Sequence, residues 1–326
     1  MEYRNLGGSG VKVSVVSLGT GGQWGGRVDQ EAAKRIVAAA LDNGINYIDT
    51  ANVYGTWYEG RQSLAEEFLG VALEGIREGI VLGTKGCQAI GDGPNDWGAS
   101  RYHLMNALDA SLRRLRTDHV DLYQVHNFDP TTPMEETMRT LEDMVRSGKV
   151  RYIGSSQYFS WQICHCNDIA DRYGWARFVT TQAHYNMFER QVEQELLPYC
   201  RAMNVGLFPY FPLAAGLLAG RYKQGTPPPP DSRVAAFERT RRYLGVYGTP
   251  ENFAALEKLT TFAQERGHTI ADLAIAWLLA EPAVTSVPTG ASSTENIIAN
   301  ARAASWKLSD EEVAEIRDIL EGEPEA

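Results

Sequence analysis

Short runs of β-branched and apolar residues alternate with stretches of helical periodicity along the chain. We predict strands at residues 13–20, 45–50, 79–85, 120–126, 150–156, 177–183, 205–210 and 284–290. Between these runs, apolar residues recur with the spacing of a buried helix face, for example at Ala33, Ile36, Val37, Ala40 and Leu41. Eight strands that alternate with helices predict an α/β fold, a (β/α)8 TIM barrel.

Two segments lie outside the regular strand–helix alternation. Residues 3–6 and 11–13 flank a Gly-Gly-Ser-Gly stretch, which predicts an N-terminal β-hairpin ahead of the barrel. The connection at 211–248, after the seventh strand, is unusually long and contains four consecutive prolines at 227–230. Structureless connections of this length are uncommon in compact domains and are usually functional, so we expect this one to fold over a ligand.

Composition and charge narrow the class of protein. The chain has 326 residues, of which 44% are hydrophobic and 22% charged, as in ordinary globular proteins. The net charge is −10, and residues 309–326 supply most of it, with eight acidic residues and one arginine. We therefore treat residues 1–326 as one barrel domain that ends in an acidic helix and tail. This balance excludes the basic surface of a nucleic-acid binder.

The sequence also indicates a location. The longest nearly apolar run, at 271–280, contains Asp272 and is too short to cross a bilayer, so we expect no membrane partner. The first residues lack the apolar core of a signal peptide, and four cysteines are too few for a disulfide framework. We therefore expect a cytoplasmic protein. The run Cys164-His165-Cys166 is on a predicted helix that turns its cysteines to different faces, so we expect no metal there.

A Rossmann fold is the rival α/β architecture. Its phosphate-binding turn requires G-x-G-x-x-G, whereas residues 19–24 read Gly-Thr-Gly-Gly-Gln-Trp and end in tryptophan. No tyrosine is followed by lysine four residues later, so the Tyr/Lys pair of short-chain dehydrogenases is absent as well. Both observations favour the barrel.

Four chemically distinct side chains follow neighbouring strands of the predicted barrel. The second strand ends at Asp49, with Tyr54 in the next loop, the third ends at Lys85 and the fourth at His126. Active sites of such barrels lie at the carboxyl ends of the strands. Each residue alone is more often structural, as an ion pair or a core histidine. Their convergence on consecutive strand ends favours catalysis.

These residue types suit the reduction of a carbonyl. A phenol with a pKa of about 10 is a poor proton donor near neutral pH, and a neighbouring ammonium lowers that pKa. Lys85 could therefore activate Tyr54, while Asp49 holds Lys85 charged and His126 orients the substrate oxygen. Amino-acid side chains supply no hydride, so the chemistry requires a nicotinamide cofactor.

The chain resembles the aldo-keto reductases over nearly its whole length. The resemblance is closest to the branch that includes potassium-channel β subunits and many bacterial reductases. It rests on several stretches: Gly-Ile-Asn-Tyr-Ile-Asp-Thr-Ala-Asn-Val-Tyr-Gly at 44–55, Asp-Leu-Tyr-Gln-Val-His at 121–126, Gly-Lys-Val-Arg-Tyr-Ile-Gly at 148–154, Pro-Tyr-Phe-Pro-Leu at 209–213 and Pro-Thr-Gly-Ala-Ser at 288–292. The resemblance implies a barrel, dependence on NADPH, and a catalytic tetrad of Asp49, Tyr54, Lys85 and His126.

The resemblance also implies where the cofactor binds. Ser156, Gln157 and Gln182 match residues that hold the nicotinamide carboxamide, and Tyr210 matches an aromatic residue that stacks on the nicotinamide ring. Gln157 stands for a usual Asn. The remaining matches are Gly19, Thr20, Gly21 and Asp49 near the first strands, Phe211, Pro212, Leu213, Gly216, Arg221 and Arg233 in the long connection, and Gly290, Ser292, Asn296 and Asn300 at the adenosine end.

Some of these positions depart from the family pattern. Phe211 replaces a usual serine, and Arg221 stands where a lysine is usual. Many relatives carry arginine at the position of Ser292, where a guanidinium would bind the 2′-phosphate of NADP. Arg221 and Arg233 could bind other phosphates. We expect NADPH to be favoured over NADH.

Three tryptophans are predicted to make the substrate pocket aromatic. These are Trp24 after the first strand, Trp57 after Tyr54, and Trp97 after the third strand. Trp97 occupies a position that is often basic in close relatives. We therefore expect aromatic or apolar aldehydes to be preferred over phosphorylated sugars.

Two other functions stay open. The first is a cofactor-binding regulatory subunit like the channel β subunits, which is disfavoured because the first predicted strand begins within a few residues of Met1. The second is an oxidative sugar or alcohol dehydrogenase, because the same tetrad operates in both directions. The branch includes oligomers, so a homo-oligomer stays open as well.

Overall fold

The computed structural model describes residues 1–22, 24–55, 63–229, 233–236 and 238–322, and side chains at these positions except 233, 236, 238–240 and 243. The strands in this part of the chain are β1 Tyr3–Asn5, β2 Lys12–Ser14, β3 Val16–Gly19, β4 Tyr47–Asp49, β5 Val81–Gly86, β6 Val120–Val125, β7 Val150–Ser156, β8 Phe178–His184, β9 Gly206–Tyr210 and β10 Val287–Gly290.

Eight of these strands form one parallel sheet, in the order β10-β3-β4-β5-β6-β7-β8-β9. The sheet closes where Leu207 of β9 bridges to Val284, shortly before β10. Strands β1 and β2 pair antiparallel as a separate hairpin. The predicted (β/α)8 barrel and its N-terminal hairpin are therefore confirmed.

Helices alternate with the strands around the outside of the barrel. They are α1 Gln30–Asp42, α2 Leu64–Ala72, α3 Arg101–Leu115, α4 Met134–Arg146, α5 Ser160–Tyr173, α6 Leu196–Met203, α7 Arg233–Ala236, α8 Glu238–Tyr247, α9 Pro250–Glu265, α10 Ile270–Ala280, α11 Thr294–Ala303 and α12 Asp310–Glu321. Short polar side chains begin several of them: Ser309, for example, caps α12 and accepts from the backbone N–H of Glu312. Among the described helices, none has the length and apolar character needed to cross a membrane.

Two predicted segments differ in detail from the structure. The predicted strand at 13–20 is two strands, β2 and β3, because the chain passes from the hairpin into the barrel at Val15, whose N–H donates to the carbonyl of Glu2. The connection at 211–248 is not structureless. It contains a 3-10 helix at Ala214–Ala219 as well as α7 and α8.

Apolar side chains close the lower end of the barrel. Leu6 and Val13 of the hairpin region pack with Leu122, Tyr47 and Phe208 in one fully buried cluster. The rings of Tyr47 and Phe208 are stacked, with centroids 5.1 Å apart. This plug fills the amino-terminal half of the barrel. The polar side chains at the opposite strand ends therefore lie above closely packed apolar side chains.

Gly83 leaves the space that Tyr47 occupies. A Cβ atom built on Gly83 would lie 2.6 Å from the Tyr47 hydroxyl, and Tyr47 is completely buried. We predict that Gly83→Ala lowers the free energy of unfolding by about 1–3 kcal/mol, because neither group can move away without disturbing the packing. Chemical denaturation measures this change.

The matched control is Gly10→Ala, because a Cβ at Gly10 has no atom within 4 Å. Adding Tyr47→Phe to Gly83→Ala should recover part of the loss, since it removes the crowded oxygen. If Gly83→Ala and Gly10→Ala were equally stable, this account of the barrel interior would be wrong.

Candidate active site

An ion pair between Asp49 and Lys85 lies inside the upper end of the barrel. The Nζ atom of Lys85 is 2.6 Å from Oδ2 of Asp49, and the two side chains are 0% and 4% exposed. Lys85 also donates to the backbone carbonyl of Thr50 at 2.8 Å and hydrogen-bonds Tyr54. An ammonium has three N–H donors, so every one of them has an acceptor in this enclosed place.

The surroundings of Lys85 keep it charged. Burial by itself lowers the pKa of the ammonium, but the charge of Asp49 and the interactions with Tyr54 outweigh burial and raise the pKa above its ordinary value. Lys85 is therefore a permanent cation at physiological pH. Its position is fixed by β5, which carries it into the barrel interior.

Asp49 has three more donors around its carboxylate. Tyr47 and Gln124 approach Oδ1 at 3.3 and 3.4 Å, and the Nε2 atom of Gln182 lies 3.4 Å from Oδ2. Burial, followed by the charge of Asp49, raises the pKa of Tyr47 well above its ordinary value, so its hydroxyl stays protonated and can donate. Asp49 is thus oriented from three strands.

Tyr47 and Gln124 were not among the residues that the sequence indicated. Tyr47 precedes Asp49 by two positions within β4, and Gln124 of β6 precedes His126, the residue just after that strand, by two positions. Side chains two apart in a strand point to the same face, so this spacing was the signal that could have found them.

The turn after β4 brings Tyr54 to the same place. Its backbone N–H donates to the carbonyl of Ala51 at 3.1 Å, and its carbonyl accepts from Ala65 at the start of α2 at 3.2 Å. Lys85 Nζ lies 5.2 Å from the centroid of the Tyr54 ring. Gly21 also lies near the ring, because a Cβ there would be 3.2 Å from two ring atoms.

His126 follows β6 and completes the group of four. Its backbone N–H donates to Gly86 at 2.8 Å, which continues the pairing of β5 with β6. Its ring meets that of Tyr54 edge to face, with centroids 5.8 Å apart and planes at 81°. The structure therefore brings together all four residues that the sequence singled out for catalysis.

The residues expected to hold a carboxamide lie at the ends of the next strands. Ser156 of β7 is opposite Gln182 of β8, and the backbone N–H of Gln157 donates to the carbonyl of Gln182 at 2.9 Å. Gln157 has a left-handed backbone, with φ 58°, and its side-chain amide donates to the carbonyl of His126 at 3.1 Å. The longer amide at this position therefore reaches the strand end that carries His126.

Tyr210 ends β9, beside His184 of β8. The segment after it has an unusual backbone: Phe211, Ala214, Ala215 and Gly216 all have positive φ. Such conformations are costly for residues other than glycine and tend to occur where a ligand binds. Pro212 and Leu213 lie within the same segment, buried and half-buried.

The first turn of α11 comes shortly after the carboxyl end of β10, at this same rim. Gly290, at the end of β10, is opposite Gly19, at the end of β3. The Ser292 hydroxyl donates to Asn296 at 3.1 Å, and Asn300 is almost fully buried one turn further along. A helix N-terminus offers backbone N–H groups and a positive dipole end to a phosphate.

Two arginines and a threonine remain from the predicted cofactor residues. Arg221 is exposed shortly after the 3-10 helix, whereas the side chain of Arg233, the first residue of α7, is outside the described residues. Thr20 is buried and bonds Thr50 at 2.8 Å. Taken together, hydroxyl and amide groups at adjacent strand ends, an aromatic ring beside them and a helix N-terminus beyond fit a nicotinamide dinucleotide.

The predicted substrate tryptophans have different environments. Trp24 is 0% exposed within the hydrophobic core, so its ring presents no surface to a substrate here. Trp97 is 48% exposed. Trp57 lies outside the described residues. Within the described ranges, no group of three or more His, Cys, Asp or Glu side chains could hold a metal ion.

Comparisons with known proteins bear on this arrangement. A model of the aldo/keto reductase family matches residues 16–321. The chain is 37% identical to a Bacillus subtilis protein named "Uncharacterized oxidoreductase YrpG", over 99% of this chain and 97% of the relative. It is 36% identical to a "Probable voltage-gated potassium channel subunit beta" of Oryza sativa subsp. japonica, over 99% and 98%. It is 33% identical to the "Versiconal hemiacetal acetate reductase" of Aspergillus parasiticus, over 96% and 95%.

The geometry of the buried ion pair predicts how its removal affects stability. Asp49→Asn leaves the Lys85 ammonium enclosed without a counter-charge, so we expect it to lower the free energy of unfolding by about 3–5 kcal/mol. The double variant Asp49→Asn/Lys85→Met carries no buried charge and should lose less. The free energies of unfolding of these two variants and of Lys85→Met, measured by chemical denaturation, complete a double-mutant cycle. Equal losses in Asp49→Asn and the double variant would contradict the account.

Proposed function

The chain belongs to the aldo/keto reductase family, and we propose that it reduces aldehydes or ketones to alcohols with NADPH, using Tyr54 as the proton donor. As a member of this family it is an NAD(P)H-dependent oxidoreductase that acts on small carbonyl compounds. The proposal about NADPH and Tyr54 rests on the buried Asp49–Lys85 ion pair, in which the remaining N–H of Lys85 hydrogen-bonds Tyr54.

Lys85 makes Tyr54 an effective acid. When the phenol gives its proton to a carbonyl oxygen, negative charge is left on the phenol oxygen. An adjacent ammonium in a water-poor place stabilises that charge far more than water would. Asp49 does not touch the substrate in this scheme; it keeps Lys85 charged and fixed, with Tyr47, Gln124 and Gln182 holding Asp49 in turn.

His126 and Gly21 shape the space around the phenol. His126 meets the Tyr54 ring at its edge, so its imidazole is placed to donate to the same substrate oxygen and to orient it. Gly21 leaves room for the ring, because a Cβ there would lie 3.2 Å from two of its atoms. A donor held in the right position favours a reactive geometry.

A bound nicotinamide would supply the hydride. Ser156 and Gln182 offer hydroxyl and amide groups for its carboxamide, and Tyr210 offers a ring for stacking. The first turn of α11 and the strained segment that ends at Gly216 would hold phosphates.

The choice between NADPH and NADH depends on cationic groups near the phosphates. We propose NADPH, as the family resemblance implies, with Arg221 and Arg233 as candidate residues for the other phosphates; Ser292 supplies no guanidinium for the 2′-phosphate. We predict that NADPH binds more tightly than NADH, by about tenfold or more in Kd measured from nicotinamide fluorescence. Arg221→Ala should weaken binding, whereas Arg317→Ala, on the exposed side of α12, should not. Equal Kd values for the two cofactors would refute the preference.

Aromatic or apolar aldehydes are the proposed substrate class. The half-exposed Trp97 puts an aromatic ring, rather than a cation, on the loop after β5.

We further propose that the chain is one domain in the cytoplasm, because all four of its cysteines are free thiols and the sheet closes on itself.

The central test replaces the Tyr54 hydroxyl. We predict that Tyr54→Phe lowers the rate of 4-nitrobenzaldehyde reduction by about 10²–10⁴-fold, the usual contribution of a positioned proton donor. The measurement is NADPH oxidation followed at the nicotinamide absorbance band. Tyr102→Phe is the matched control, because Tyr102 is 66% exposed on α3.

Three other outcomes would each refute one part of the proposal. A wild-type protein that binds NADPH and reduces no aldehyde of a panel would refute the reductase and favour a regulatory subunit, as the names of the plant relatives suggest. Faster reduction of glyceraldehyde phosphate than of benzaldehydes would refute the substrate class alone. Full activity in Tyr54→Phe would refute the role of Tyr54.

A further inference from the structure

Three aromatic residues connect the proposed nicotinamide site to the helix that ends the long connection. His184 is the last residue of β8 and lies beside Tyr210, the last residue of β9. Their rings are stacked, with centroids 4.8 Å apart and planes within 8°. The hydroxyl of Tyr247, the last residue of α8, hydrogen-bonds the Nε2 atom of His184. The rings of His184 and Tyr247 meet edge to face at 5.9 Å.

Asn186 joins the same group from the loop after β8. Its Nδ2 atom donates to the Tyr247 hydroxyl at 3.3 Å and to the backbone carbonyl of Phe211 at 3.0 Å. Phe211 is the residue after Tyr210 and packs edge-on against its ring, with centroids 5.6 Å apart. Asn186 is completely buried and Tyr247 is 1% exposed, whereas His184, Tyr210 and Phe211 are partly exposed.

The protonation states make the hydrogen bonds directional. Burial lowers the pKa of His184 to about 4, so the imidazole is neutral at physiological pH. A neutral imidazole has one acceptor nitrogen, and Nε2 can accept the Tyr247 proton. The Tyr247 oxygen then accepts from Asn186. The Tyr247 hydroxyl is therefore held from two sides, by His184 and by Asn186, which favours one arrangement of the rings.

Tyr247 connects this group of residues to the long connection at 211–248, because it is the last residue of α8. Helix α8 packs against the 3-10 helix Ala214–Ala219, which continues the segment proposed to hold the cofactor phosphates. The hydrogen bond between Tyr247 and His184 therefore ties the end of this connection to the strand end beside Tyr210. The arrangement of the connection and that of the Tyr210 ring are coupled through one imidazole.

We propose that His184 is a positioning residue for the nicotinamide, because its ring holds the Tyr210 ring in the orientation that stacks on the nicotinamide. The Tyr247–His184 hydrogen bond, here called the lock, holds His184 in place. Tyr210 is therefore correctly oriented only when α8 packs in the position seen in this structure. The inference rests on the proposed function, because it takes Tyr210 as the residue that stacks on the nicotinamide. It adds that cofactor release requires the Tyr247–His184 contact to open.

Tyr247→Phe tests the lock, since it removes one oxygen and keeps the ring. We expect NADP⁺ to dissociate about tenfold faster from this variant, the effect of losing one buried hydrogen bond. His184→Phe keeps a flat ring against Tyr210 and loses the acceptor, so it should show a similar increase. The double variant should add little, because both changes break the same bond. Stopped-flow displacement of bound NADP⁺ by excess NADPH, followed by nicotinamide fluorescence, gives these rates.

A control variant and a fragment separate positioning from a general loss of structure. Tyr185→Phe removes a buried hydroxyl that donates to Glu193 at 2.9 Å and does not touch this group. It should leave NADP⁺ release unchanged even if its melting temperature falls as much as that of Tyr247→Phe. Adenosine 2′,5′-bisphosphate lacks the nicotinamide, so its Kd should be the same in the wild type, Tyr247→Phe and His184→Phe.

The outcomes distinguish the two proposals. Unchanged NADP⁺ release in Tyr247→Phe, in a wild type that reduces aldehydes, would overturn the lock and leave the reductase intact. Equal weakening of NADP⁺ and adenosine 2′,5′-bisphosphate would also overturn it, because the effect would then not act at the nicotinamide. A wild-type protein that binds no NADP(H) would overturn the proposed function and the lock together.

Discussion

One buried ammonium determines much of the structure around the site. A charged lysine enclosed by protein is costly unless a counter-charge and hydrogen bonds replace the water that it loses. Lys85 has all of its donors satisfied, by Asp49, Thr50 and Tyr54. Asp49, which supplies the counter-charge, needs fixed donors of its own. The polar groups of three strands are therefore arranged around this single cation.

The apolar half of the barrel makes that arrangement possible. The hairpin residues Leu6 and Val13 close the barrel from below and pack against Tyr47. Tyr47 spans both environments: its ring stacks on Phe208 in the plug, and its hydroxyl reaches the carboxylate above. Gly83 is required because a larger residue would occupy the place of that hydroxyl. The plug and the site are thus parts of one packed interior.

The sequence predicted the fold well because strand and helix periodicities are local. It also indicated which residues meet in the proposed active site, because the barrel topology brings consecutive strand ends to one rim and Asp49, Lys85 and His126 are each at such an end. Tyr47 and Gln124 were not predicted because neither residue type is distinctive inside a strand; only their two-residue spacing from Asp49 and His126 indicates that they face the site.

Other features depend on contacts between distant parts of the chain. His184 stacks on Tyr210, which is 26 positions away in sequence, and bonds Tyr247, which is 63 positions away. No local pattern indicates either contact. The helices within 211–248 were hidden by the prolines at 227–230, which favour an irregular chain. The break between β2 and β3 arises because the hairpin pairs with itself rather than with the barrel.

In the proposed mechanism, the Lys85 cation promotes proton donation by Tyr54. The most direct measurement is the pH dependence of kcat/KM for carbonyl reduction in the wild type and in Lys85→Met, with folding of the variant checked by circular dichroism. Loss of the cation should move the alkaline decline of the rate to higher pH, by about one unit or more, and lower the maximum. An alkaline decline at the same pH in both proteins would contradict the account.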